Sequence, residues 1–197
     1  MKTFMITSVL VALSLSTAVS AAEFGDTGAS VVLERNNMTL GVASVAGEAT
    51  SLSFGVAVLP HGALGADADM TLGLGYGIIT EDLTFSAAYG LSKHYDKLNV
   101  YGNIEAAYTV ASGEANGDWD VTPTVGTAYR VNDNLAVFGE ASYSWDVSND
   151  WNSTGGALEV GTRYALSDDI AFTPSIVRTF DTGADATNLN VEVALRF

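Results

Sequence analysis

The sequence predicts an all-β fold: a transmembrane, antiparallel, up-and-down β-barrel of eight to ten strands, with ten favoured by count. Three observations carry this. Residues 188–197 alternate without a break, placing Leu189, Val191, Val193, Leu195 and Phe197 on one face and Asn188, Asn190, Glu192, Ala194 and Arg196 on the other. A period of two marks a strand whose faces meet different environments. From Met70 onward the same alternation recurs in a series of runs, and the turns between later runs are short and long by turns.

The elements follow in chain order. Met1 and Lys2 open a positively charged stretch, residues 4–15 are mostly apolar, and small residues follow up to Ser20, Ala21 and Ala22. That is the pattern of an export signal cleaved after Ala21 or Ala22. The expected organisation is a signal peptide at 1–22 and a barrel at 23–197. A membrane helix fits less well, because the apolar stretch is short and broken by Ser and Thr. The absence of cysteine excludes a lipoprotein anchor, disulfides and a thiolate metal site.

Residues 29–35 either extend the first strand or lead into it from the periplasm. Met38-Leu40-Val42 and Leu52-Phe54-Val56-Val58 are two candidate strands. Eight apolar rows follow, beginning Met70-Leu72-Leu74-Tyr76-Ile78 and Leu83-Phe85-Ala87-Tyr89-Leu91, and ending with the terminal row. Together these make ten, an even number, as closure with both ends on one side of the membrane requires. The weakest part of the count is 60–97, where the linkers 80–82 and 92–96 are short; eight strands is the alternative. Tight turns at Asn132-Asp133-Asn134 and Ser167-Asp168-Asp169 alternate with loops at 112–118, 147–154 and 181–187. Short turns facing the periplasm and longer loops facing outward are the arrangement of outer-membrane barrels.

Composition narrows the function. The chain has 23 acidic and eight basic residues, seven once Lys2 leaves with the signal, which argues against binding nucleic acid. An acidic, solvated surface is the expected consequence. No second stretch approaches the ~20 consecutive apolar residues of a membrane helix.

Aromatic residues fall at the ends of the apolar rows. Tyr108, Trp119, Tyr143 and Trp145 lie toward the long loops; Tyr129, Tyr164, Phe172 and Phe197 lie toward the short turns. Two girdles around a band of Val, Leu, Ile, Ala and Gly match two membrane interfaces. A soluble β-sandwich also alternates, but its outer face is polar. The closing segment Val191-Glu192-Val193-Ala194-Leu195-Arg196-Phe197 resembles the last strand of bacterial outer-membrane barrels, in which Val193, Leu195 and Phe197 would form the signal read by the barrel-assembly machinery. The chain from 23 onward resembles a small outer-membrane barrel of the OmpA-like or opacity-type superfamily. The resemblance implies residence in the outer membrane of a Gram-negative bacterium, among lipid and lipopolysaccharide. It does not specify an activity, since such barrels serve as adhesins, anchors, porin-like channels and enzymes.

Glu105, Glu140, Glu159 and Glu192 occupy polar-face positions near mid-strand, and Arg130, Arg163 and Arg196 lie nearer the short turns. Uncompensated carboxylates are costly in a narrow interior, so Glu–Arg pairs or water are expected. These charges are read first as filling the interior of a structural or surface-interaction barrel, and second as lining a narrow pore for small ions or solutes. An enzyme ranks third: His61 and His94 come without a recognisable nucleophile segment. No catalytic, cofactor or metal residue is assigned. The acidic loops, with Glu114, Asp118, Asp120, Asp146, Asp150, Asp181 and Asp185, either stay solvated or hold divalent cations weakly. A monomer is expected. Removing Phe197, or making it charged, should lower the amount of assembled barrel in membranes far more than a similar change at Asn188, because the last strand must close the sheet with its apolar face outward; quantifying folded protein in isolated membranes checks this.

Overall fold

The computed structural model describes residues 27–35, 38–45, 49–59, 68–78, 80–114, 116–148, 151–180 and 185–196. His61, Asp150, Asp181 and Phe197 lie outside them, as does the expected signal peptide. The strands are β1 (Thr27–Arg35), β2 (Met38–Val45), β3 (Ala49–Leu59), β4 (Ala68–Gly77), β5 (Leu83–Tyr95) and β6 (Leu98–Val110). They continue with β7 (Asp118–Arg130), β8 (Leu135–Asp146), β9 (Asn152–Ser167), β10 (Ile170–Phe180) and β11 (Ala186–Arg196). Each pairs antiparallel with the next, and β1 meets β11 to close the barrel.

The run β2–β11 is the ten-stranded, antiparallel, up-and-down array expected from the alternating rows. Residues 29–35 are neither an extension of its first strand nor a lead-in: they belong to a further strand, β1, aligned with β2 from Gly28–Val45 to Arg35–Met38. With eleven strands in a meander, the first and last must run the same way. The β1–β11 seam is accordingly parallel, with Thr27 opposite Leu189. Thr27 therefore sits toward the long-loop end, opposite the end where β11 finishes.

The uncertain segment before residue 97 resolves through its turns. β5 runs on to Tyr95, absorbing residues 92–95 that read as linker, and only 96–97 make the turn. Asp96 adopts φ 50°, a left-handed conformation that Asp tolerates better than most residues. At the turn after β7, the Asn132 side chain accepts hydrogen bonds from the N–H groups of Asn134 and Leu135, both at 2.9 Å. β9 starts at Asn152, so the preceding loop is shorter than expected; a register shift at Ser144/Trp145 accommodates the added residues.

Two prolines interrupt the ladders. The β7–β8 register passes from Val121–Trp145 to Thr124–Ser142 across Pro123, and β9–β10 passes from Phe172–Tyr164 to Ser175–Gly161 across Pro174. Proline offers no N–H, so a ladder bond is lost at each. At the first gap the hydroxyls of Thr122 and Ser144 bond at 2.7 Å.

The outward face is the apolar one. Val125 and Val160, at mid-strand, are 63% and 66% exposed. Leaving such side chains in water forfeits about 1.5–3 kcal/mol each, which a surrounding lipid phase removes. The girdle aromatics stand on this face: Tyr108 packs on Trp119 at 5.0 Å between ring centroids, and Tyr143 on Trp145 at 4.8 Å. Tyr129 and Tyr164 are exposed toward the short-turn end, with Phe172 beside Tyr164 in register. Strands of ten to thirteen residues tilted by about 40° span roughly 25–33 Å, enough for the hydrocarbon band. Val160→Arg should cost about 2–4 kcal/mol of folding stability in lipid vesicles, whereas Asn103→Lys on the inner face should cost no more than about 0.5 kcal/mol; urea titrations of the vesicle-folded proteins measure both.

Candidate functional site in the barrel lumen

Inward positions divide into two walls. Through the middle of β2–β5 they are small: Gly41 pairs with Ser53, Ser53 with Gly75 and Gly75 with Thr84, while Gly55 pairs with Gly73 and Gly73 with Ser86; Asp69 and His94 follow on the same face toward the short turns. Across β6–β11 they are large or charged. The registers bring Tyr101, Gly126, Glu140 and Glu159 into one row across β6, β7, β8 and β9. Closer to the short turns, Arg130, Ala136 and Arg163 share a row, and Glu192 of β11 sits opposite Thr173. Toward the long loops, Glu105 pairs with Thr122, and Asp120 with Asp146.

Glu105, Glu140, Glu159, Glu192, Arg130 and Arg163 therefore all project from the inner face, where their parity put them. The side chain of Arg196 lies outside the described residues. Among the described residues, which leave out the Arg196 side chain, no arginine closes to ion-pair distance on these four glutamates. Glu140 faces Glu159, a like-charged neighbour, and its partner is instead the Tyr101 phenol, which donates to Oε1 at 2.5 Å. An ion pair does form outside the lumen. Arg178 at the long-loop end reaches Asp185 at 3.1 Å and donates to Thr187 at 3.0 Å, so Asp185 is not simply part of a solvated rim.

Among the described residues, two cavities border the interior. One, about 670 Å³, opens among the short turns and is bounded by His94, Arg130, Arg163 and Asp168. The other, about 550 Å³, reaches from there to the Tyr101 row and is bounded by Phe138, Glu140, Glu159, Thr173 and Glu192. Asn99, Ala128, Ala136 and Arg163 border both. The Asn99 Oδ1 and Thr173 Oγ1 atoms are buried without a protein partner on this surface, positions suited to water or a polar solute. Among the described residues no three His, Cys, Asp or Glu side chains gather as a metal-binding group.

Solved structures resemble this architecture. The NanC porin aligns over 96% of this chain and 96% of its own, with a TM-score of 0.55 and 9% identity. The fold is that of an outer-membrane β-barrel. OmpT, an outer membrane protein of Vibrio cholerae, aligns in a loop-deleted form over 95% of this chain and 74% of its own, with a TM-score of 0.48 and 12% identity. No protein-family model and no curated protein sequence matches the chain.

Tyr101 and Gly126 did not stand out as site residues in the sequence, although both occupy inward parity. Their importance comes from being laterally adjacent across β6 and β7. Tyr101→Phe should lower stability by about 1 kcal/mol through loss of the bond to Glu140, and the loss should shrink when Glu140→Gln is already present. A double-mutant cycle on unfolding in lipid vesicles reads this coupling.

Proposed function

We propose that this barrel is a narrow pore of the bacterial outer membrane, admitting small hydrophilic solutes or ions. The observation that carries the reading is the pair of adjoining cavities, bordered by charged and hydrogen-bonding side chains among apolar ones, running from the short-turn mouth to the Tyr101 row. Strand number supports it. Eleven strands tilted by about 40° give a backbone radius of about 11 Å, against about 8 Å for eight. Side chains just fill the eight-stranded OmpA-type interior; here the middle of one wall is Gly, Ser and Thr and leaves space. The likeness to OmpA-like or opacity-type proteins thus extends to the type of barrel rather than to its bore.

In this reading, residues 1–22 direct export and are removed, the assembly machinery inserts the barrel as a monomer, and the short turns face the periplasm. Lipid and lipopolysaccharide surround it. Acidic side chains at the outer rim meet lipopolysaccharide phosphates through Mg²⁺ or Ca²⁺ or remain hydrated. A second reading, a surface-interaction barrel with a filled interior, draws on the Tyr101–Glu140 bond and on Phe138, which reduce the bore.

Planar-bilayer recording separates the two, on protein whose folding is verified by heat-dependent gel migration. Steady single-channel conductance, altered by Glu140→Gln, is expected of the pore. Rare or absent events from folded protein would establish the filled barrel instead.

A further inference from the structure

Gly126 and Gly161 each face an aromatic side chain from the preceding strand. Gly126 of β7 lies opposite Tyr101 of β6, and Gly161 of β9 opposite Phe138 of β8. A Cβ on Gly126 would stand 2.5–2.7 Å from the Tyr101 ring and its hydroxyl; one on Gly161 would stand 2.6–2.7 Å from the Phe138 ring. Such separations are far inside van der Waals contact. Both rings therefore lie across their neighbouring strands, in notches that only glycine leaves.

The Tyr101 hydrogen bond defines its direction. The phenol lies over Gly126 of β7, where its hydroxyl meets the Glu140 carboxylate reaching in from β8. Neighbouring strands are about 4.8 Å apart, so a ring that lies over the adjacent strand runs along the wall and not toward the barrel axis. Both rings border the inner cavity. In the next row toward the long loops, Asn103, Thr124, Ser142 and Ala157 are all smaller than tyrosine or phenylalanine. The two aromatics are consequently the bulkiest uncharged groups on this wall among the described residues, and their orientation governs the space left beside it.

Resting on the pore reading, we infer that Gly126 and Gly161 hold the bore open by seating Tyr101 and Phe138 flat against the wall, and that these two rings set the size limit for solutes. Filling a notch turns its ring toward the axis and narrows the passage. Removing the Tyr101 ring makes the Gly126 notch irrelevant, whereas at Gly161 the Pro174 carbonyl, 2.7 Å from an added Cβ, still limits the space.

The test compares single-channel conductance and vesicle permeability to uncharged sugars of graded size for the full chain. Gly126→Val and Gly161→Val should each reduce conductance at least about twofold and lower the size limit, because a narrow pore's conductance follows its tightest cross-section. Tyr101→Ala and Phe138→Ala should raise both, and Tyr101→Ala should restore conductance to Gly126→Val. Gly139→Ala serves as the control, since Gly139 lies on the lipid face and its added Cβ meets nothing closer than 3.7 Å. If a glycine variant fails to fold, the two alanine variants, which fill no notch, still decide. A conducting parent whose size limit is unmoved by both alanine substitutions overturns this inference and leaves the pore standing. A folded parent that does not conduct overturns the pore and the inference together.

Discussion

The backbone ladder governs everything else in this molecule. Within hydrocarbon there is no water to satisfy an unpaired N–H or C=O, and each one left open costs several kcal/mol. A sheet can sit there only if its two edges meet. Here β1 lies between the two edges, paired along its length with β2 and meeting β11 in parallel at Thr27–Leu189 to close the ring. The parallel seam is weaker per residue than an antiparallel one, but it follows unavoidably from an odd number of strands. Pro123 and Pro174 show the same constraint locally: each removes a ladder bond, and next to Pro123 the Thr122 and Ser144 hydroxyls bond across the interrupted β7–β8 step.

Closure then determines the chemistry available inside. Once the outer face is committed to lipid, every second residue must point into one shared space. The chain divides that space unevenly, with Gly, Ser and Thr through the middle of β2–β5 and Tyr, Phe, Glu and Arg on β6–β11. A uniform wall of large residues would fill the bore, and a uniform wall of small ones would leave it wide and featureless. The uneven wall leaves the lumen bounded by hydrogen-bonding groups on one side and by little bulk on the other. The excess of glutamate over arginine inside is tolerable because the lumen connects to the short-turn mouth, where solvent can enter; in a dry core the Glu140–Glu159 juxtaposition would be severely unfavourable.

Much of the fold was legible in the sequence because alternation is local. A period of two can be read along one strand without knowing its neighbours, which is why the rows from Met70 to Leu195 and the inward parity of Glu105, Glu140, Glu159 and Glu192 could be assigned. Two things could not. Residues 27–35 contain Val31, Val32 and Leu33 in succession, so their alternation is blurred and their strand shows only through its pairing with β2. The turn before Leu98 was hidden because Lys93, His94 and Tyr95 look like linker, although they continue β5 to its rim.

The site was legible only in part, for a related reason. Parity tells which face a residue occupies, but not which residue stands beside it on the next strand. That lateral alignment is set by turn lengths and by bulges such as the one at Ser144/Trp145, and each one shifts every later pairing. Tyr101 and Gly126 are 25 positions apart in a sequence where tyrosine and glycine are both common. Only the register makes one a ring and the other its recess. Glutamates stand out in a sequence because charge inside a membrane is costly, whereas a glycine's contribution is the space it leaves. The charged residues of this lumen were therefore readable one by one, while its shape depends on pairs that only the closed sheet brings together.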